Sequence, residues 1–258
     1  MYFDTHSHLE MVIREKNISW ETILKSMQNE SVCGTLNIIA SVDELDFLES
    51  SGLMNCSDTK LFHAAGIHPH NALNYDKDIS WIYGIKEKII AVGECGMDLY
   101  YDFSDEISQE KLLRKMAELS LELKKPIIIH GREAESKIVD YLKSYGVKGE
   151  TVLFHCFTGN EKSAEKVVDF GASISFSGII TFKNSSSLRD VLKNTPINKI
   201  MFETDSPFLA PIPFRGAVNT PDKVRSVYKY AASFLNLEEH FLAETVKANI
   251  NNFFSINI

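Results

Sequence analysis

Cysteine is scarce in this chain and is not arranged for chemistry. Cys33, Cys56, Cys95 and Cys156 are the only four in 258 residues, and they form no CxxC pair and no dense framework. That excludes a disulfide-rich scaffold and reads as reduced thiols in a cytoplasmic protein. Long apolar runs are missing too: no stretch approaches the ~20 residues that a bilayer crossing needs, so no membrane association is expected. The opening Met1-Tyr2-Phe3-Asp4 has no basic segment followed by an apolar run, so no signal peptide is expected. Positive charge is in deficit. A net charge of −8 argues against a protein that coats nucleic acid with a broad basic face. It leaves room for a nucleic-acid substrate held at bound cations, which reverse the local sign. There is no low-complexity tract, no long charge run and no Pro/Gly/Ser linker, so residues 1–258 read as one domain.

What is present is an alternation. Short apolar, β-rich runs span residues 2–5, 34–39, 61–65, 89–93, 126–129, 151–154, 172–176 and 199–203. Amphipathic helical patterns fall between them, over residues 20–30, 104–123, 134–145 and 161–170. Strand and helix in alternation imply a parallel sheet, and eight such units in this length predict an α/β chain closed into a (β/α)8 TIM barrel. An open doubly wound sheet is the competing fold. It is disfavoured because no GxGxxG turn follows the first strand.

The polar residues with chemistry gather at the ends of these runs. His6 and His8 end the first strand, Glu94 the fourth, His130 the fifth, His155 the sixth and Asp205 the eighth. The C-terminal strand ends of a barrel form its active-site face, so six candidate ligands converge on one mouth. Strand side chains alternate with a period of two, which points His6 and His8 to the same side and lets them chelate one ion. Asp4 shares their parity and is expected to hold a ring N–H. Nitrogen and oxygen donors without thiolate suit Zn, Mn, Co or Fe, and Mg if carboxylate and water dominate. Cys95 and Cys156 have the opposite parity to the ligands beside them and are expected to pack between sheet and helices.

These residues lie in six ordered motifs: Asp4-Thr5-His6-Ser7-His8-Leu9, Gly66-Ile67-His68-Pro69-His70, Gly93-Glu94-Cys95-Gly96-Met97-Asp98, the run from Pro126 through His130-Gly131-Arg132 to Ala134, His155-Cys156-Phe157-Thr158-Gly159 and Glu203-Thr204-Asp205-Ser206-Pro207. With them, and with a loop-like segment from Phe208 to Gly216, the chain resembles over essentially its whole length the TatD-like metal-dependent deoxyribonucleases, relatives of the amidohydrolases. The resemblance implies a (β/α)8 barrel that cleaves phosphodiester bonds with divalent metals. It implies that His6, His8 and Asp205 hold one metal, that His130 and His155 hold a second, and that Glu94 bridges the two. Departures from the family pattern are Ala217, where a basic residue is usual, and Thr220, where Glu is common.

On that reading two divalent ions outweigh two carboxylates, and the net positive centre favours a phosphodiester that gains charge as it reacts. Asp205 is the expected base for the attacking water, with Glu203 as a second carboxylate for proton transfer or for orienting a ligand. Arg132 reads either as a phosphate clamp or as a salt-bridge partner of Glu133 or Glu135. His68 is a substrate contact by resemblance, and Asp98 either contacts a metal water or caps a helix. The expected substrate is nucleic acid, single-stranded DNA cut from an end or RNA, with no obligate protein partner. Two other functions fit the same ligands: a metal-dependent esterase or amidohydrolase, for instance on aminoacyl-tRNA, and a non-catalytic metal-binding barrel.

Overall fold

The structure, a computed structural model, describes residues 1–56, 59–73 and 79–258. The eight apolar runs become strands β1 (Tyr2–Ser7), β2 (Val32–Ile39), β3 (Lys60–Ala65), β4 (Ala91–Asp98), β5 (Ile127–Arg132), β6 (Val152–His155), β7 (Ser173–Phe176) and β8 (Ile200–Phe202). They pair in chain order as one eight-stranded sheet, each neighbour parallel to the last. Helices α1 (Trp20–Asn29), α2 (Val42–Ser50), α3 (Ser80–Gly84), α4 (Glu106–Leu123), α5 (Glu135–Ser144), α6 (Glu161–Asp169) and α7 (Ser186–Asn194) each follow one strand, and α8 (Val224–Leu235) and α9 (Glu239–Phe254) follow the last. This is the (β/α)8 barrel that the alternation predicts. Among the described residues no helix is long and apolar enough to cross a membrane.

The helices start where short polar side chains replace the missing backbone acceptors. Asp105 accepts from the Ser108 N–H at the head of α4, and Asn160 accepts from the Ser163 N–H at the head of α6. Leu112, Leu113, Met116 and Ala117 then recur at helical spacing and bury one face of α4 against the sheet. Phe254, near the end of α9, is buried.

Closure of the barrel rests on β1 meeting the segment after β8. Thr204 donates its N–H and its hydroxyl to the Asp4 carboxylate, at 2.8 and 2.6 Å. The Asp205 N–H donates to the His6 carbonyl at 3.0 Å, and Ser7 bridges to Ser206. Asp4 therefore does not hold an imidazole N–H, as its parity suggested. It accepts from backbone and hydroxyl donors and pins the closing seam. Glu94 is also displaced from expectation: β4 runs on to Asp98, so Glu94 stands inside the strand rather than at its end.

Buried in β3, His63 has its Nδ1 3.4 Å from Asn37 Nδ2. Burial lowers its pKa to about 4, against a hydrogen bond to Leu53 that favours the charged ring. Between pH ~6.5 and this value the unfolded chain binds a proton that the native state refuses, so native stability falls as pH falls, by roughly 3 kcal/mol in all. His63→Gln should flatten the decline of Tm between pH 7 and pH 4 relative to the parent. Parallel Tm profiles would refute the assignment.

Candidate metal centre

Glu94 stands at the middle of the cluster, with one carboxylate oxygen toward each half. Its Oε1 lies 3.5 Å from His8 Nε2 and 3.8 Å from His6 Nε2. Asp205 Oδ1 completes that half, at 3.5 Å from His8 Nε2 and 3.9 Å from His6 Nε2. The other oxygen, Oε2, lies 2.7 Å from His155 Nε2 and 3.9 Å from His130 Nδ1. Donor atoms around one tetrahedral ion with bonds of 2.0–2.1 Å stand about 3.4 Å apart, close to most of these spacings. The donor atoms of His6, His8 and Asp205, and those of Glu94, His130 and His155, thus form two groups that could each hold a metal ion.

The buried nitrogens support the same reading. His6 Nδ1 and His6 Nε2 are shielded from solvent yet have no hydrogen-bond partner, and His155 Nε2, equally shielded, has only the Glu94 carboxylate beside it. Orphaned donors or acceptors of this kind are costly unless something else satisfies them, and a cation does so for a nitrogen lone pair. The opposite ring atoms are held by protein groups. His155 Nδ1 donates to Glu203 Oε1 at 3.3 Å, and His130 Nε2 donates to Asp98 Oδ2 at 3.0 Å. Each bond leaves the remaining ring nitrogen facing Glu94, the arrangement by which an outer carboxylate sets the tautomer of a metal ligand.

The cluster's electrostatics call for positive charge. Burial opposes ionisation of Asp205, but the His8 hydrogen bond and the charges of His6, His8 and His155 outweigh it and hold the carboxyl at about 2. Burial likewise opposes ionisation of Glu94, and His155 and His68 bring it well below the usual carboxylate range. Burial would also lower His8, yet Asp205 and Glu94 lift it to about 9. Two ionised acids thus recruit protons onto imidazoles, and divalent cations would compete for the same places.

The register delivers the ligands together. His130 on β5 is directly opposite His155 on β6 and Gly96 on β4. A side chain at Gly96, whose φ is +146°, would meet the His130 carbonyl at 1.9 Å, so only glycine lets β5 pass this close. Asp205 arrives differently. It lies three residues beyond β8 and reaches the centre through a left-handed turn with φ +55°.

The remaining candidates divide by what they touch. Glu203 is fully buried, and both of its oxygens are engaged, by His155 and by the Ser175 hydroxyl. Of the two carboxylates, Asp205 is therefore the one with access to the mouth. His68 packs against His70 and His130, with ring centroids 4.3 and 4.5 Å apart, and burial lowers its pKa to about 3. It is thus a neutral ring at the edge of the centre. Arg132 makes no ion pair with Glu133 or Glu135 among the described residues. Its guanidinium lies 4.1 Å from the centroid of Tyr100 and 5.0 Å from that of Tyr101. It borders a cleft of about 730 Å³ lined by Glu135, Thr158, Asn160 and Lys162. Cys95 is buried as expected, but Cys156 is not behind the sheet. The strand ends at His155, and a φ of +41° turns the Cys156 thiol to the Ser177 hydroxyl at 3.3 Å.

Asp98 is the residue whose part sequence reasoning left open. It does not cap α4, whose cap is Asp105. Its Oδ2 accepts from His130 and from His70, each at 3.0 Å, while its Oδ1 accepts the N–H groups of Tyr100 and Tyr101. Its position in the Gly93–Asp98 motif was the available signal, but the histidines it holds lie 28 and 32 residues away in the chain.

Known proteins resemble this chain in sequence and in fold. The model of the family described as "TatD related DNase" matches residues 3–255. The chain is 31% identical over 260 residues to "Uncharacterized metal-dependent hydrolase YabD" of Bacillus subtilis, covering all of both chains. It is 26% identical to "3'-5' ssDNA/RNA exonuclease TatD" of Pantoea ananatis, over 92% of this chain and 93% of that one. Among solved structures, the TatD homologue YJJV of Escherichia coli superposes with a TM-score of 0.86 at 24% identity, over 99% of this chain and 98% of that one.

Proposed function

The chain belongs to the family of TatD-related DNases, and from that premise we propose that it is a metal-dependent hydrolase that cleaves phosphodiester bonds in single-stranded nucleic acid. The observation that carries this reading is the pair of donor groups with the Glu94 carboxylate between them, and the buried nitrogens of His6 that no protein atom satisfies. The exonuclease name of the Pantoea ananatis relative supports DNA or RNA as substrate.

On this reading His6, His8 and Asp205 would hold one divalent cation and His130 and His155 another, with Glu94 placed between them to contribute to each. Divalent cations held there would supply Lewis acidity toward a phosphodiester and toward a bound water. Asp205, at the mouth, takes the proton of the water whose oxygen attacks phosphorus, while the P–O bond to the leaving sugar oxygen breaks and that oxygen takes a proton from solvent. Glu203 keeps His155 in the tautomer that presents Nε2 to the centre, and Asp98 does the same for Nδ1 of His130. Arg132, with no acid partner among the described residues, binds a non-bridging phosphate oxygen as a charged donor.

Two measurements test this. Elemental analysis of purified protein should find divalent metal, and chelation should abolish cleavage of a labelled oligonucleotide until metal is returned. Full cleavage by verified metal-free protein would overturn the reading, and a panel including aminoacyl-tRNA and small esters would expose a different hydrolase. Arg132→Ala should retain its metal and raise the oligonucleotide KM about 10- to 100-fold, with kcat less affected, as expected for one lost charged hydrogen bond. Metal loss in Arg132→Ala would instead make the residue a support of the centre.

A further inference from the structure

We infer that Tyr100, Tyr101 and Phe103, on the loop between β4 and α4, form a stacking shelf for an unpaired nucleobase of the substrate strand next to the bond that is cut. The inference rests on the phosphodiester reading above and names a binding subsite for it. The three side chains are 54%, 43% and 59% exposed, an unusual concentration of bare aromatic surface within four residues. They are grouped, with ring centroids 4.8 Å apart at 88° for Tyr100 and Tyr101 and 5.7 Å apart at 44° for Tyr101 and Phe103, so that a base lying on one ring meets its neighbour at the edge.

The shelf is tied to the metal centre. Both tyrosine N–H groups donate to Asp98, the carboxylate that also orients His130. The Phe103 ring lies 4.6 Å from the ring of His70, which bonds the same carboxylate. Ser104 fixes the following residue by donating to the His70 carbonyl at 2.8 Å. A single imidazole, His70, thus separates the outermost ring from His130, and the guanidinium of Arg132 lies on the Tyr100 face of the same shelf.

Charge gives such a shelf a use. A chain of net charge −8 gains little from a general attraction to the phosphate backbone, so beyond the cations and Arg132 its hold on a strand draws on neutral contacts. Stacking on aromatic rings is that contact, and it tolerates any base because every base has a π-face. Bases within a duplex are already stacked on one another, so the shelf favours unpaired ends. Arg132 beside Tyr100 supplies a phosphate donor next to a base platform, the combination that a nucleotide presents in reverse.

The test uses the metal-loaded full chain and oligonucleotides carrying one abasic residue, stepped along the strand from the cleaved end. Wild type should show a KM rise of about 5- to 150-fold at one position only, the range that stacking of one base spans. Phe103→Ala and Tyr101→Ala should erase the difference between abasic and intact substrate, and Phe103→Trp should restore it. A binding readout independent of turnover is quenching of the Phe103→Trp emission by oligothymidylate, with the abasic strand quenching less. Equal abasic effects in wild type and both alanine variants, or no quenching, would overturn the shelf. So would Phe103-dependent self-association with no effect of oligonucleotide. Cleavage of bis(p-nitrophenyl) phosphate, which has no nucleobase, reports on the phosphodiester reading separately. A wild type that cleaves this diester but ignores the abasic position leaves that reading intact and rejects the shelf.

Discussion

Asp205→Asn is expected to cut turnover by about 10²- to 10⁴-fold, with oligonucleotide KM changing far less. The substitution keeps the size and one oxygen acceptor but removes the charge and the basicity. In the structure the Asp205 carboxylate faces His6 and His8 and is held ionised at about 2, whereas both Glu203 oxygens are occupied by His155 and Ser175. Asp205 is therefore the carboxylate with a free path to a water. Cations that acidify a bound water lower the basicity required of the group that takes its proton. The Asn variant should also hold the ion at His6 and His8 less tightly, while the ion at His130 and His155 stays. A purely structural Asp205 predicts the reverse pattern, a lower Tm with near-normal turnover in the folded fraction. Metal stoichiometry, Tm and single-turnover cleavage on one preparation separate the two, and wild-type turnover would remove Asp205 from the mechanism.

Glu94→Gln should be costlier for metal, because it alone faces both groups of ligands. Its Oε1 sits beside His8 and its Oε2 beside His155, at 3.5 and 2.7 Å. Gln offers one neutral oxygen in place of two charged ones, so both halves lose a ligand and the shared countercharge together. Loss of an outer partner of a metal ligand costs about 10- to 100-fold in affinity, and loss of this inner carboxylate should exceed that for both ions. Elemental analysis should find the variant depleted at both places, and cleavage should return only at metal concentrations well above those that saturate wild type. His130→Ala is the reference, because it removes a ligand from one half alone. If Glu94→Gln lost no more metal than His130→Ala, Glu94 would belong to one half and the shared-carboxylate arrangement would fail.

Most of the fold was legible because its signals are local. Eight apolar runs in alternation with amphipathic helices state a parallel barrel, and the parallel register of β1 through β8 follows. The pair His6 and His8 could be read the same way, since a period of two is a property of the strand itself. The fifth and sixth strands put His130 and His155 side by side because neighbouring strands of the barrel end together.

Where strand geometry stops, so did the reading. Asp205 and Cys156 lie beyond their strands with φ of +55° and +41°, and alternation says nothing about where a left-handed residue points. Asp4 had the parity of a ring partner, but Thr204, 200 residues later, supplies closer donors once the barrel closes. Arg132 had two acids beside it in sequence, yet its guanidinium lies on Tyr100. By itself, then, the sequence determined the strand and helix order, the family and which residues could ligate metal, all of which depend on residue type and short-range periodicity. Tertiary structure alone decided which oxygen of Glu94 faces which histidine, that Asp98 orients His130 and His70, and that Tyr101 and Phe103 cluster beside His70. Those depend on hydrogen bonds and ring contacts between segments tens to hundreds of residues apart, and such contacts exist only after the barrel has closed.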